Sequence, residues 1–527
     1  MSLEVLATEP ALEYGLERFF LALVVALSVA TLPQVFSWFR QIPYTLLLVI
    51  AGLGLALFNV RLINLSPELI LSIFLPPLLF EAAWNLKWSN LKKDWIPISL
   101  YAVIGVGISI LGIAFGLSQT TSVPIVIALL IGASLATTDP VSVIAMFREL
   151  GVAERTRTLV EGESLFNDGV AVVTLSLLLS LPLEVQGLEA QSLLADLIRY
   201  LGIGIGSGCL IGFGVSFLTQ RLDLPLLEQS LTLVSAYGSY LLSEQLGGSG
   251  VIAVVPVGLI LGNFGSRIGM SPRTRVIVTE FWEFLAFFVN SIVFLLIGDQ
   301  VPLESLWQNR GAIAITVVAM LAARAIATFG LGWLSNRLSR SDLSWRELIV
   351  VWWGGIRGAV SIALALSIPT VLLQRDLITA TVFGSVLFTL LVQGLTMKPL
   401  LGALGLLGDQ ALRQQYAEAI ARQTALKRVL QRLQQTEPQA EIDPAFCREQ
   451  VQLIEAKLQS LTQELAELCD RQPELQHYAL ESLQAELLAI EADTYAEFVR
   501  SGQLSQELSP ILRETLAFPT QPPAIAD

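Results

Sequence analysis

The stretch Glu161-Gly162-Glu163-Ser164-Leu165-Phe166-Asn167-Asp168-Gly169 sets three carboxylates, a hydroxyl and an amide at the start of an apolar segment. On a helix, Ser164 and Asp168 share one face at i,i+4, and Glu163 and Asn167 share a neighbouring face rotated by about 100°. One face can offer oxygen ligands while the next holds a structural network. Oxygen donors suit a small hard cation such as sodium, and a carboxylate can take a proton in its place. Asp168 is therefore the expected site of alternating proton and cation occupancy. The competing reading is a buried Asp satisfied by backbone or by Arg.

A charge at the centre of a membrane helix costs about 2.5 to 3.5 kcal/mol on insertion scales, so a survivor there is a candidate for function. Besides Glu163 and Asp168, the mid-segment charges are Glu81, Asp139, Arg324 and Arg357; Glu161, Glu280, Glu283 and Asp299 fall nearer segment ends, where interfacial solvation accounts for them. Asp139 precedes Pro140, whose ring removes a backbone donor and disfavours helix at the residue before it. The unwound backbone would line an ion site beside Thr138. Arg357 stands in Gly354-Gly355-Ile356-Arg357-Gly358, a second helix-breaking run. If the two breaks cross, Asp139 and Arg357 compensate half-helix dipoles of opposite sign. Glu163 and Arg357 lie at comparable depth, and a structural salt bridge between them would relieve two desolvation penalties. Glu81 is expected either to guide cations into an inner funnel or to snorkel at its helix end.

The elements that must position these residues are membrane helices. The 527-residue chain is 54% hydrophobic and 15% charged, against about 25% charged in soluble proteins. Its mean hydropathy is +0.65. Apolar runs long enough to cross a hydrocarbon core of about 30 Å recur near 15–36, 43–60, 66–86, 96–118, 122–147, 158–183, 195–220, 226–246, 249–265, 279–302, 309–334, 345–373 and 377–404. The expected fold is an all-α polytopic membrane protein of about thirteen transmembrane helices over residues 1–404, with a helical soluble tail over 405–527. Arg40, Lys87, Lys92, Lys93, Arg148, Arg155, Arg157, Arg221, Arg267, Arg273, Arg275, Arg337, Arg340, Arg346 and Lys398 fall on one side of this thirteen-span arrangement, against Arg61, Arg199, Arg310 and Arg375 on the other. Retention of positive loops in the cytoplasm then predicts an external N-terminus and a cytoplasmic tail. The two interrupted spans lie seven apart, which inverts one half relative to the other, as in inverted-repeat transporters whose broken helices meet near the midplane.

In the tail, Val451, Ile454, Leu458, Leu461, Leu465 and Leu468 form an apolar seam suited to a hairpin against Tyr416, Ile420 and Leu433, or to a coiled-coil dimer. The stretch Phe518 to Pro523 is expected to be disordered. The first twenty residues carry Glu4, Glu9 and Glu13 rather than a basic leader, so the first apolar run is expected to stay as a membrane helix.

Several functions are disfavoured. Cys209, Cys447 and Cys469 match neither a metal-ligand spacing nor a disulfide framework. The single histidine, His477, lies in the tail and is read as a solvated helix residue, which leaves carboxylates to carry protons through the membrane. No phosphate-cradling loop, zinc helix or nucleophile triad is visible, so neither ATP-driven transport nor an enzyme is expected, nor any cofactor or nucleic-acid partner. The net charge of -13 sits mostly in the tail and at helix ends and identifies no partner.

With these residues in view, the chain resembles the monovalent cation/proton antiporters of the NhaP and NHE type. The matching stretches are Leu75 to Ala83, Thr138-Asp139-Pro140-Val141, Glu161 to Asp168, Phe288 to Gly298 and Gly354 to Ser361, in order across most of residues 15–404. The resemblance implies a thirteen-helix fold with a core ion-translocation domain and a dimerisation domain, a homodimer, and independent transport by each protomer. By motif position it assigns ion and proton binding to Asp168, cation coordination to Ser164, the unwound crossing to Asp139 and Thr138, and the bridge to Glu163 with Arg357. Asn167 stands where electrogenic relatives carry a second Asp. The tail is outside the resemblance.

The expected activity is electroneutral exchange of one sodium or lithium ion for one proton, because Asn167 cannot change charge and no lysine stands at mid-membrane. Sodium is expected at Asp168, Ser164 and Thr138. A potassium/proton exchanger would use the same oxygens. A channel would need rings of carbonyls or charge that are not seen, and a carrier of organic solutes would need gripping aromatic or amide groups.

Overall fold

The computed structural model describes residues 3–498, apart from residues 37–38, 40–41, 59, 61, 63–65, 181–189, 222–223, 340–341, 373, 408–409, 436–443, 472–482 and several positions between 484 and 497. His477 and the Phe518 to Pro523 stretch lie outside the described residues. So do the side chains of Cys447 and Cys469.

Every regular element among the described residues is helical. Hydrocarbon offers no hydrogen-bond partners, so each crossing segment must satisfy its own backbone, and the α-helix does this within one segment. Among the described residues, six helices are long and apolar enough to cross a membrane: Trp95–Thr120, Glu154–Ser180, Ala195–Thr219, Arg273–Asp299, Arg310–Ser339 and Arg375–Ala403. Shorter apolar helices cover Tyr44–Leu57, Leu69–Asn85, Ile125–Ser134 and Gly250–Ser266. The first helix, Leu3–Val35, begins well before the apolar run that starts near residue 15. Among the described residues, turns of π-helix interrupt four of the helices, at Leu69–Phe74, Leu100–Gly105, Leu261–Gly269 and Thr389–Gln393. Hydrophobic periodicity carries no sign of them.

By chain contacts the protein separates into residues 1–407 and 408–527. Within the first unit, Tyr44–Leu57 packs tightly on Pro272–Asp299 through two glycines. A Cβ on Gly52 would fall 2.8 Å from the Asp299 nitrogen, and one on Gly298 would fall 2.8 Å from the Leu53 nitrogen. Small residues of this kind let membrane helices approach backbone to backbone. The approach also corrects the reading of Asp299 as a solvated end residue. Its side chain is buried and accepts a hydrogen bond from Leu62 N at 3.0 Å.

Among the described residues, two helices are broken by fully unwound backbone. The first consists of Ile125–Ser134 and Pro140–Glu149, and the second of Trp345–Trp353 and Ala359–Ser367. Pro140 opens its half-helix at the first turn, where its missing N–H has no intrahelical partner to lose. Gly355 and Gly358 keep the second break thin. A Cβ on Gly355 would run into the Arg324 side chain, and one on Gly358 would fall 2.6 Å from Cβ of Asp139.

In the second unit, Gln410–Gln435 packs on Pro444–Arg471 as a hairpin. Ile454 and Leu461 of the seam are buried, facing a partner helix whose buried residues include Tyr416 and Ala419. Ile420, expected in that contact, is exposed instead. Gln423 donates from Nε2 to Thr462 Oγ1 at 2.9 Å across the pair.

Candidate functional site

The two breaks meet. Asp139 N donates to Ile356 O at 2.7 Å, tying one unwound strand to the other. Asp139 then caps the half-helix that follows it, its Oδ1 accepting from Val141 N at 3.0 Å. The position of Gly358 against the Asp139 carboxyl brings the same acid to the start of Ala359–Ser367. One carboxylate therefore faces two positive helix ends.

Arg357 serves the opposite end. Its Nη1 donates to Ala136 O at 3.0 Å and Thr137 O at 2.6 Å, the carbonyls just past the end of Ile125–Ser134. The cation thus sits at a negative dipole end, and these two carbonyls are occupied by it. Its backbone N donates to Thr389 Oγ1 at 3.0 Å. Thr137 Oγ1 and Ser361 Oγ, 2.7 Å apart, add a second link between the breaks.

The expected salt bridge between Glu163 and Arg357 is not formed. Glu163 is held by Arg324 through both oxygens, Nη1 to Oε1 at 2.9 Å and Nη2 to Oε2 at 3.1 Å. Arg324 also donates from Nε to Trp352 O at 3.1 Å and from Nη2 to Val351 O at 3.0 Å, the carbonyls ending the Trp345–Trp353 half-helix. Each arginine therefore serves the C-terminal end of one half-helix, and only Arg324 has a carboxylate as well. Sequence listed both arginines at mid-membrane but held no clue to which one faced Glu163.

Around Asp168 the oxygens converge. Thr138 Oγ1 lies 2.7 Å from Ser164 Oγ and accepts from Asn167 Nδ2 at 2.7 Å. Asn167 Oδ1 also accepts from Thr138 N at 3.4 Å. Both ends of the Asn167 amide are thus engaged by one threonine. Asp168 is buried, and its Oδ1 has no hydrogen-bond partner among the described residues. A cavity of about 50 Å³, walled mostly by apolar side chains such as Leu75, Leu79, Leu165 and Phe294, also reaches Thr137, Thr138, Asp139, Asp168 and Asn290. Ser164 and Asn167 reach it through Thr138.

A wider cavity of about 350 Å³ shares Ala82, Pro140, Val141 and Asn290 with the small one. Glu81, Glu161, Glu283 and Arg148 line it. Glu81 lines this wider cavity and donates nothing to the small one; its Oε1 accepts from Asn85 Nδ2. Glu161 and Glu283, read from sequence as solvated ends, face the same space. Asn290 stands at the junction, and only its place in a matching stretch marked it. Among the described residues no group of three or more His, Cys, Asp or Glu forms a metal cluster. The polar groups at the small cavity are hydroxyls, carboxylates and the Asn290 amide, oxygen chemistry suited to a weakly held alkali cation.

Residues 23–403 match the family described as sodium/hydrogen exchanger, transmembrane. The chain is 57% identical over 520 residues to the Na(+)/H(+) antiporter ApNhaP of Aphanothece halophytica, covering 98% of this chain and 100% of that one. It is 53% identical over 506 residues to the low-affinity Na(+)/H(+) antiporter NhaS1 of Synechocystis sp., covering 95% and 96%. Among solved structures, the sodium proton antiporter MjNhaP1 from Methanocaldococcus jannaschii at pH 8 shares the fold, with a TM-score of 0.61 at 22% identity over 75% of this chain and 100% of that one. The protein is a multi-pass integral membrane protein and a transporter rather than an enzyme. With an all-helical fold, two crossing interrupted helices and a family match over residues 23–403, the chain belongs to the sodium/hydrogen exchanger family.

Proposed function

We propose that the protein exchanges sodium for protons, with Asp168 taking one proton or one cation in turn. The observation that carries this reading is the unpartnered Oδ1 of buried Asp168, in a small, mostly apolar cavity that Thr137, Thr138 and Asp139 also reach and that adjoins a wider acidic one. A carboxylate there needs a counter-ion, and either a proton or a small cation supplies it. Thr138 and Ser164 contribute oxygens to the cation, Asn167 holds Thr138 in place, and Asp139 steadies the crossing. Glu81, with Glu161 and Glu283, draws cations into the wider cavity. Lithium would be carried by the same small hard site. Near-full-length identity to relatives named as Na(+)/H(+) antiporters supports sodium over potassium.

The crossing is also the expected hinge of alternating access, because a rigid half can rock about a fixed midplane site. Residues 1–404 would act as the transport domain of a homodimer in a cell inner or plasma membrane, adjusting internal pH as protons move. Residues 405–527 would form a cytoplasmic tail. The Lys and Arg asymmetry supports a cytoplasmic tail, so a protease acting on inside-out vesicles should cut near Gly408. Cutting there only in right-side-out vesicles would overturn this orientation. The transport reading is tested by proton flux in reconstituted vesicles under sodium, lithium and potassium gradients. Flux that follows sodium and lithium supports it; flux that follows potassium alone favours the potassium exchanger, and flux blind to every cation gradient discards antiport.

A further inference from the structure

The helix beginning at Arg375 carries a polar face that the ion site does not use. Thr381, Ser385, Thr389 and Gln393 follow one another at intervals of four residues, and none is more than 1% exposed. Four residues turn an α-helix by about 400°, so the row drifts only about 40° per step. Over Thr389–Gln393 the helix changes to π geometry, whose wider turn reduces that drift. None of the four lines the small or the wide cavity.

Three of these four side chains have unusual hydrogen bonding. A helical hydroxyl ordinarily donates to a carbonyl three or four residues back, as Thr379 does to Arg375 O at 3.0 Å and Thr396 to Val392 O at 2.6 Å. The hydroxyls of Thr381 and Ser385, on the same helix, have no partner among the described residues, and neither does Oε1 or Nε2 of Gln393. Thr389, between them, donates to Val386 O at 2.9 Å in the ordinary way and accepts from the backbone N of Arg357. Arg357 is itself fully buried, and its Nε and Nη2 also lack partners. The helix packs against Ile125–Ser134, whose end the Arg357 guanidinium reaches.

An unsatisfied buried polar group costs about 1 to 3 kcal/mol, and more when charged. Native interiors resolve such clusters with internal water, which needs two to four polar partners. The spacing suits it. Four residues rise about 6 Å along the axis, and one water hydrogen-bonded on both sides spans about the same distance; the eight-residue step from Ser385 to Gln393, past Thr389, takes two or more waters in line.

We propose that this face binds a single file of internal waters, which bridge Thr381, Ser385 and Gln393 and accept from the free N–H groups of Arg357. The file gives Arg357 the solvation that Glu163 gives Arg324. It lets a full positive charge remain at the end of Ile125–Ser134 without drawing on Asp168. The row extends about 18 Å, more than half of the hydrocarbon depth, and forms an aqueous compartment apart from the acidic cavities. The inference does not rest on the sodium/proton reading, and its test needs no transport measurement.

Met397 continues the four-residue row and is fully buried, as is Met270 in a different cluster of the core. The full-length protein in lipid nanodiscs would be exposed to hydroxyl radicals made by X-ray pulses, which modify side chains touching bound water. Met397 should be modified several-fold faster than Met270. In the triple variant Thr381→Val, Ser385→Ala, Gln393→Leu, the two should become equally slow and the melting temperature should fall. Equally slow modification in the unaltered protein would overturn the proposal. So would a triple variant that melts higher than its parent, the outcome expected of a dry row relieved of unsatisfied groups. If the triple variant does not fold, Ser385→Ala alone carries the comparison, with Thr381→Ser as the control that keeps the hydroxyl.

Discussion

Arg324 grips Glu163 with two parallel hydrogen bonds, at 2.9 and 3.1 Å, while Arg357 lies close by with no carboxylate bonded to it. Breaking a buried pair from one side leaves an uncompensated charge and costs about 3 to 5 kcal/mol. Glu163→Gln should therefore destabilise the protein strongly, and Arg324→Met added to it should restore part of the loss. A double-mutant cycle on unfolding in detergent reads this coupling. A larger coupling of Glu163 to Arg357 than to Arg324 would show that the pair has been misassigned.

Asp168→Asn keeps the shape of the side chain and removes its titrating charge. Exchange should vanish while the melting temperature is kept, because Oδ1 of Asp168 makes no protein hydrogen bond to lose. Sodium-driven proton flux near the parent level in this variant would remove Asp168 from the mechanism.

Thr138 joins Ser164 and Asn167 at 2.7 Å each. Thr138→Ala removes the hydroxyl common to both contacts. A hydrogen bond is worth about 0.5 to 1.5 kcal/mol net, which corresponds to a rise of roughly two- to tenfold in the sodium KM. Flux measured against sodium concentration checks it, and an unchanged KM would place the cation elsewhere.

Gly358 lies against Asp139, so Gly358→Ala puts a methyl 2.6 Å from the Asp139 Cβ. The crossing would have to open, at a cost of about 1 to 3 kcal/mol for overpacking. Melting temperature and exchange should fall together. Full exchange at an unchanged melting temperature would mean that the breaks do not meet as closely as they do here.

Exchange should be electroneutral. Asn167 cannot carry a second proton, and the buried guanidiniums of Arg324 and Arg357 are bonded to a carboxylate and to carbonyls rather than free to shuttle protons. Sodium-driven proton flux in vesicles should be insensitive to a potential set with potassium and valinomycin. A strong voltage dependence with a matching current would reveal another titrating group.

The amino-acid sequence by itself determined that this is a helical membrane protein, where its helices break and which few charges stand inside it. Hydrocarbon enforces those features locally, since a run of apolar residues, a Pro after Asp139 and three glycines between 354 and 358 act wherever the chain goes. The grouping of Asp168, Thr138 and Asp139 was legible for the same reason, because two positions of one break must face whatever helix crosses it. The partner of Glu163 was not legible. Two arginines of equal charge stood at similar depth, and depth along a helix says nothing about which neighbour it packs on. Only the tertiary structure chose between them. It set Arg357 against the carbonyls of Ala136 and Thr137, and it brought Arg324 from another helix to close on Glu163. The same packing buried Asp299, turned Glu161 and Glu283 toward one cavity, and buried Thr381, Ser385, Thr389 and Gln393 on one helix. Apart from that row, whose four-residue spacing is local, these relationships join residues tens to hundreds of positions apart, and they depend on helix rotation and close approach at single glycines, which no local pattern encodes.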